Sequence, residues 1–239
     1  MQATYAPSPL GGKPTGTGSL LGAALRRPGG RRALSAVSLV LVLAGVGLFA
    51  YPAVTDVIAR QRQHRLTTAI QDPGYAERYK LREIKVGDAL TRLIVPRLKI
   101  DVLVVEGTTP AALKAGAGHY RGTPLPGEAG NVGIAGHRTT YGRPFNKLDT
   151  MTAGDVAYLV TPFATYTYTV QPAFDGHANP WPVSPTDVDV VSQVGADHWL
   201  TLTTCHPKGS ARQRLVLRLW LTHTDPPLKA GETKPKSAP

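Results

Sequence analysis

The chain has 239 residues, 42% of them hydrophobic and 18% charged, which supplies apolar material for one sizeable core and excludes a wholly disordered protein. Its 25 glycines and 21 prolines, about a fifth of the chain, favour strands and turns over a helical fold. The formal charge of +11 would suit nucleic acid, but no Lys/Arg run is interleaved with aromatics and no groove-reading motif is present. A nucleic-acid partner is therefore not expected, and a basic surface facing a polyanionic envelope fits the charge at least as well.

Residues 1–32 are rich in Gly, Pro, Ser and Thr with scattered bases and no hydrophobic period, and read as a disordered tail. Between Arg32 and Asp56 lie 23 residues without a charge, dominated from Leu34 to Phe49 by Leu, Val and Ala. About 20 such residues span a bilayer core of roughly 30 Å. A cleaved signal peptide would carry an apolar region of only ~7–15 residues and a small-x-small site, a signal that Tyr51 and Pro52 interrupt here. A retained single-pass membrane anchor is expected over residues 33–54. Arg26, Arg27, Arg31 and Arg32 lie close before the span, while Arg60, Arg62 and Arg65 follow at a greater distance. That bias puts the N-terminus in the cytoplasm and the larger part of the chain outside the cell.

Asp56 to Gln71 reads as a polar helix with a thin apolar stripe of Val57, Ile58, Leu66 and Ile70, ended by Pro73-Gly74, so residues 55–85 are expected to form an extracellular stalk. From Val86 onward short apolar runs are broken repeatedly by Gly and Pro, an all-β pattern expected to fold over residues 86–223. Candidate strands are Leu93–Val95, Val102–Glu106, Val132–His137, Val156–Thr161, Thr165–Phe174, Trp199–Thr204 and Gln213–Leu221, with short helices at Pro110–Ala115 and Pro144–Leu148. Residues 224–239, rich in Pro and Lys, read as a flexible tail, and no internal repeat is present.

The chain has one cysteine, Cys205, which cannot form an internal disulfide and is either a small buried hydrophobe or a reactive thiol. Strand parity discriminates between the two. Leu215, Leu217, Leu219 and Leu221 alternate with Arg214, Val216, Arg218 and Trp220, and so mark a core face. In the preceding strand Leu200 and Leu202 point inward, leaving Thr201, Thr203 and Cys205 on the other face. A hairpin about residues 205–212 would bring Cys205 and Arg214 out on one non-core face. In Asn131–His137 the buried positions are Val132 and Ile134, so His137 falls in line with Gly133 and Ala135, which leave a shallow floor beside it. Cys, His and Arg are thus all off the core face.

Such a trio supports acyl transfer. A thiolate attacks a peptide carbonyl, and a neighbouring imidazolium favours the thiolate and protonates the leaving amine. A fixed guanidinium stabilises the tetrahedral oxyanion without proton transfer, a contribution of ~3–4 kcal/mol for a donor of that kind. Arg212 shares parity with Arg214 and is its rival by face alone. His206, adjacent to Cys205, would point to the opposite side of an extended strand. His119 reads as a loop-shaping residue, and His64, His177, His198 and His223 as exposed or locally bonded. No His/Cys/Asp/Glu cluster has metal-ligand spacing, so neither a metal nor another cofactor is expected.

Thr201-Leu-Thr-Thr-Cys205 followed by Arg214, together with Gly136-His137-Arg-Thr-Thr-Tyr141, closely resembles the sortases. Leu93–Val102, Glu106-Gly107, His119–Asn131 and Pro144–Leu148 extend the resemblance, in chain order, over roughly Leu93 to Leu221. The Cys205-His-Pro continuation and the Gly-His-Arg-Thr-Thr-Tyr stretch look most like the class E enzymes of actinobacteria. The resemblance implies a closed eight-stranded β-barrel with short helices behind one N-terminal transmembrane helix. It implies a cysteine transpeptidase that cleaves a C-terminal sorting motif of the Leu-Ala-x-Thr-Gly or Leu-Pro-x-Thr-Gly kind after Thr. The implied partners are surface proteins bearing that signal, a cell-wall amine of the peptidoglycan cross-bridge, and the membrane. The roles fall on Cys205 as nucleophile, His137 as acid/base and Arg214, by the family spacing, as charge stabiliser; Thr204 and Tyr141 flank the site as candidate substrate contacts. A non-catalytic anchored β-domain that binds wall polymer or partner proteins is the alternative, and it would have no need of the trio.

Overall fold

A computed structural model describes residues 28–192, 195–229 and 231–235. The chain divides into two compact units, Met1–Ala50 and Tyr51–Pro239. The expected tail over residues 1–32 lies almost wholly outside the described residues, as do 236–239. In the first unit the described part is helical, the beginning of α1 (Pro28–Ile70). Its apolar side chains are exposed on every side, Leu48 and Phe49 by 74% and 87%. A helix that is apolar all round and unburied needs a non-aqueous neighbour, and α1 is long and apolar enough to cross a membrane.

The second unit is built on a barrel. Its strands are β1 (Ala89–Val95), β2 (Ile100–Glu106), β3 (Ala117–His119), β4 (Gly130–Gly136), β5 (Val156–Val160), β6 (Thr165–Val170), β7 (Ala173–Phe174), β8 (His177–Ala178), β9 (Trp181–Val183), β10 (His198–His206) and β11 (Gln213–Asp225). Hydrogen bonding runs β10-β4-β3-β2-β1-β5-β6-β11, and pairing of β11 with β10 closes the ring at eight strands, with β9 added along β11. The pairs β2/β3 and β4/β10 are parallel and the other ring pairs antiparallel. The inward positions named by alternation fill the core: Val132, Ile134, Leu200, Leu202, Leu215, Leu217 and Leu219 pack with Leu93, Phe145, Leu159 and Tyr168, and Leu221 packs partly buried against them. Each such side chain contributes ~1.5–3 kcal/mol of burial.

Several elements differ from the sequence reading: the strand expected at Thr165–Phe174 is divided into β6 and β7, and β3, β8 and β9 were not expected. Strand β3 is Ala-Gly-His, without the β-branched residues that signal a strand, and it needs its glycine: a Cβ at Gly118 would lie 2.2 Å from the Gly107 carbonyl oxygen. The helix expected at Pro144–Leu148 is absent; turns lead to one 3-10 turn at Leu148–Thr150. Arg143 in the left-handed region (φ 49°) and a fully buried Phe145 fix that chain direction instead. The short helix expected at Pro110 is present as α3 (Pro110–Leu113), capped by Thr109, whose hydroxyl accepts from the Ala112 amide.

Residues 55–85, expected to form a stalk, are helical over most of their length and bonded to the barrel. Gln63 acts as a clamp: its amide donates to the Leu103 and Ala115 carbonyls (2.8 Å each) and its oxygen accepts from the Leu103 N–H (2.7 Å). After Ile70, α2 (Tyr75–Lys80) buries Tyr75 and Tyr79 against Leu90, and the Tyr75 hydroxyl donates to the Leu90 carbonyl. Beyond β11, Leu228 N–H donates to Thr165 and Arg92 donates to the Glu232 carbonyl, so described residues of the expected C-terminal tail lie on the barrel.

Candidate active site

The site lies where β4, β10 and β11 end together. In the β10/β11 hairpin Cys205 is paired directly with Arg214, and His206 with Gln213. Directly opposed residues project on one face, so the hairpin expected from parity is the one formed. On its other side β10 runs parallel to β4, with Leu202 beside Ile134 and Thr203 beside Ala135. The Thr204 hydroxyl donates to the Gly136 carbonyl (2.7 Å), which carries this register one step further. The strand pairing stops there, and continuing it by one more residue would set His137 beside Cys205, so the three expected catalytic residues lie at or just beyond the ends of adjoining strands. Cys205 is partly exposed, unlike an inert core thiol.

His137 leaves the end of β4 with both backbone groups held: its N–H donates to the Gly116 carbonyl (3.2 Å) and its carbonyl accepts from the Phe145 N–H (3.1 Å). The Tyr141 ring lies 5.0 Å from the imidazole, tilted by 36°. Burial lowers the His137 pKa below the ordinary histidine value, because the cation loses hydration. Arg214 is partly buried and its Nη1 donates to the Ala211 and Gln213 carbonyls (3.0 and 3.1 Å). Its Nε and Nη2 have no acceptor among the described residues. Arg212 lies before the first residue of β11 and outside the strand pairing, which separates it from Arg214 where parity could not.

Thr204 is buried and its hydroxyl is committed to Gly136, so in this structure it joins strands. His206 accepts a hydrogen bond at Nδ1 from Arg138 (2.9 Å), which occupies that lone pair. His119, expected in a loop, is the last residue of β3; it is buried and bonded to Glu106 of β2 and to Thr123 (2.8 Å each). The floor expected at Gly133 is covered: the Tyr120 ring and Val191 stand so close that a Cβ there would meet them at 2.9 and 3.2 Å. Ala135 and His137 remain partly exposed.

Two neighbours of the site escaped the sequence reading. Arg138 is buried, and its Nη1 donates both to the Cys205 carbonyl (3.1 Å) and to His206, while Nη2 pairs with Asp149 (3.1 Å). It ties the residue after the histidine to the cysteine backbone. Alternation could not find it, since β4 ends at Gly136 and strand parity lapses there; a basic residue adjoining the histidine was the one signal. Tyr120 bonds through its hydroxyl to the Thr203 hydroxyl (2.9 Å) and lies in the loop after β3, where no periodicity applies.

Comparison with known proteins bears on this arrangement. A family model described as a sortase domain matches residues 93–221. Sortase SrtE1 of Streptomyces coelicolor is 29% identical over 178 residues, 68% of this chain and 49% of SrtE1, so the chain spans about half the length of that relative. Among solved structures, sortase E from Streptomyces avermitilis is 34% identical with a TM-score of 0.53, covering 62% of this chain and 96% of that one. Sortase E1 from Streptomyces coelicolor, solved with a tripeptide in its active site, is 28% identical with a TM-score of 0.52, covering 59% and 91% of the two chains. With the matched domain running from within β1 through most of β11, over half of the chain's length, this protein belongs to the sortase family, and class E sortases are among the members it resembles.

Proposed function

We propose that the protein is a membrane-anchored cysteine transpeptidase, with Cys205 as nucleophile, His137 as acid/base and Arg214 as oxyanion donor. The observation that carries the reading is the pairing of Cys205 with Arg214 at the strand ends where the β4/β10 register leads to His137, around a partly exposed thiol. The Cys205 thiolate attacks the carbonyl carbon of the scissile Thr, forming a C–S bond and an oxyanion that the free N–H groups of Arg214 can receive. The His137 imidazolium donates its proton to the leaving Gly amine as the C–N bond breaks, giving a thioester. An acceptor amine then attacks that thioester, passes a proton back to His137 and expels the thiolate.

The substrate would be a surface protein carrying a Leu-Ala-x-Thr-Gly or Leu-Pro-x-Thr-Gly signal, and the acceptor a cell-wall amine. The tripeptide held by the Streptomyces coelicolor enzyme supports a peptide occupant. The apolar start of α1 supports a membrane anchor, and the preceding arginines support a cytoplasmic N-terminus with the barrel outside.

The test is mass spectrometry of the full chain in detergent micelles with both peptides and an added amine. Cleavage after Thr with an amine-linked product is expected, together with near silence from Cys205→Ala, His137→Ala and Arg214→Ala. Turnover surviving in Cys205→Ala would overturn the cysteine mechanism.

A further inference from the structure

The loop that follows His137 is bound to the helix that follows the apolar segment. Three consecutive residues of this loop, Tyr141, Gly142 and Arg143, lie in the left-handed region with φ of 50°, 78° and 49°. L-residues hold that conformation only where their surroundings impose it. Here the ties come from α1. The Tyr141 N–H donates to the Thr55 hydroxyl (3.3 Å) and the Gly142 N–H donates to Asp56 Oδ1 (2.9 Å), while Arg143 Nη2 pairs with Asp56 Oδ2 (2.6 Å). Thr55 is buried, and the Asp56 side chain is 16% exposed. A Cβ at Gly142 would stand 3.6 Å from the Ala59 methyl, so the helix passes directly over the loop. At the loop's near end the Tyr141 ring lies against the His137 imidazole.

We propose that Thr55 and Asp56 are positioning residues for the acid/base histidine: by holding the backbone of Tyr141 and Gly142 they hold the Tyr141 ring against His137. The first residues after the apolar segment are thus part of the catalytic scaffold and not a passive tether. This rests on the assignment of His137 given above. The bond that matters is the one from the Gly142 amide, since Asp56 Oδ1 is the acceptor that fixes the left-handed residue; the ion pair with half-exposed Arg143 is secondary.

The test uses the full chain in micelles, with kcat and KM for the sorting peptide, the melting temperature, and hydrogen exchange of a peptide spanning residues 138–145. In Asp56→Ala we expect faster exchange of that peptide and a fall in kcat of about tenfold or more, because displacing a reacting group by ~1 Å can cost ~10²-fold. KM should stay within about twofold, since the sorting peptide does not contact Asp56 in this scheme. Asp56→Asn, which keeps the carbonyl acceptor and loses the charge, should recover most of the loss. If Asp56→Ala exchanges faster at residues 138–145 yet keeps wild-type kcat, the proposal is overturned. An equal loss in Ala and Asn would also overturn it, by assigning the effect to the ion pair. Should Asp56→Ala fail to fold, Thr55→Val, which removes the acceptor of the Tyr141 amide together with a donor to the Pro52 carbonyl within the helix, carries the same comparison. Wild type without transpeptidation would instead sink the functional reading, a separate outcome.

Discussion

Arg138→Met is the substitution whose consequences the structure makes most definite. The guanidinium is 3% exposed and serves three acceptors: the Cys205 carbonyl, His206 Nδ1 and Asp149. Methionine fills much of the same volume but donates nothing, so the Cys205 carbonyl and His206 Nδ1 each lose a partner at ~1–3 kcal/mol apiece when the group stays dry. Asp149 has a 40% exposed side chain and Lys208 at 3.8 Å, so it regains water and loses little. Arg138 Nε has no acceptor among the described residues, and removing that buried donor returns part of the cost. The net loss should be ~2–4 kcal/mol, a fall in melting temperature of roughly 5–15 °C for a domain of this size. Thermal melts give the stability change, and transpeptidation assayed well below the mutant's melting point separates it from catalysis. There the rate should still fall, because the cysteine backbone is no longer tied to the histidine loop. A melting point within about 2 °C of wild type would refute the reasoning, since that corresponds to under ~1 kcal/mol.

Gly136→Ala should cost ~1–3 kcal/mol as an overpacked core and depress activity with it, because the new methyl would meet the fully buried Phe145 ring at 2.5 Å; equilibrium unfolding checks it. Gln63→Ala leaves the Leu103 amide and two carbonyls without their partner, and chemical denaturation should show a loss of ~1–3 kcal/mol. In Cys205→Ala, where no thiol titrates beside it, an NMR titration should place His137 below the free value of about 6.5. A folded pKa depressed in a cation works against stability in acid: His137 costs nothing above about pH 6.5, and as pH falls below that the unfolded state binds the proton first, so stability declines towards the folded pKa. His137→Gln should flatten that part of the stability–pH curve. Desolvation lowers the Arg218 pKa to about 10; its guanidinium lies against the Phe174 ring at 4.1 Å and Nη2 donates to the Val190 carbonyl (2.7 Å), while Nε and Nη1 have no partner among the described residues. Arg218→Met should change stability by less than ~1 kcal/mol, because relief of burial offsets the lost cation–π contact and the lost bond to Val190; a larger loss on unfolding would show that those contacts dominate.

The sequence by itself determined which faces are apolar, because side chains alternate strictly along a strand and burial follows that alternation. From it came the inward leucines of β10 and β11, the inward Val132 and Ile134, and the common face of Cys205 and Arg214. A charge-free run likewise made the helix at the N-terminal side legible. Tertiary structure alone decided what meets across long separations. Parity left Arg212 and Arg214 equal, the family spacing alone chose between them, and the hairpin register gives the physical difference, since Arg214 is the one paired opposite Cys205. It could not show that β4 lies parallel to β10, which is what brings His137 to the cysteine. Short β3, with Gly118 selected by the Gly107 carbonyl, carries no propensity signal. Arg138 and Tyr120 act from loops, where no period reports orientation, and Thr55 and Asp56 from a helix whose period does not say which loop it will meet; hydrogen bonds between residues up to 87 positions apart set the geometry. Local chemistry fixes which way a strand residue points; what it points at is decided by the closure of the barrel.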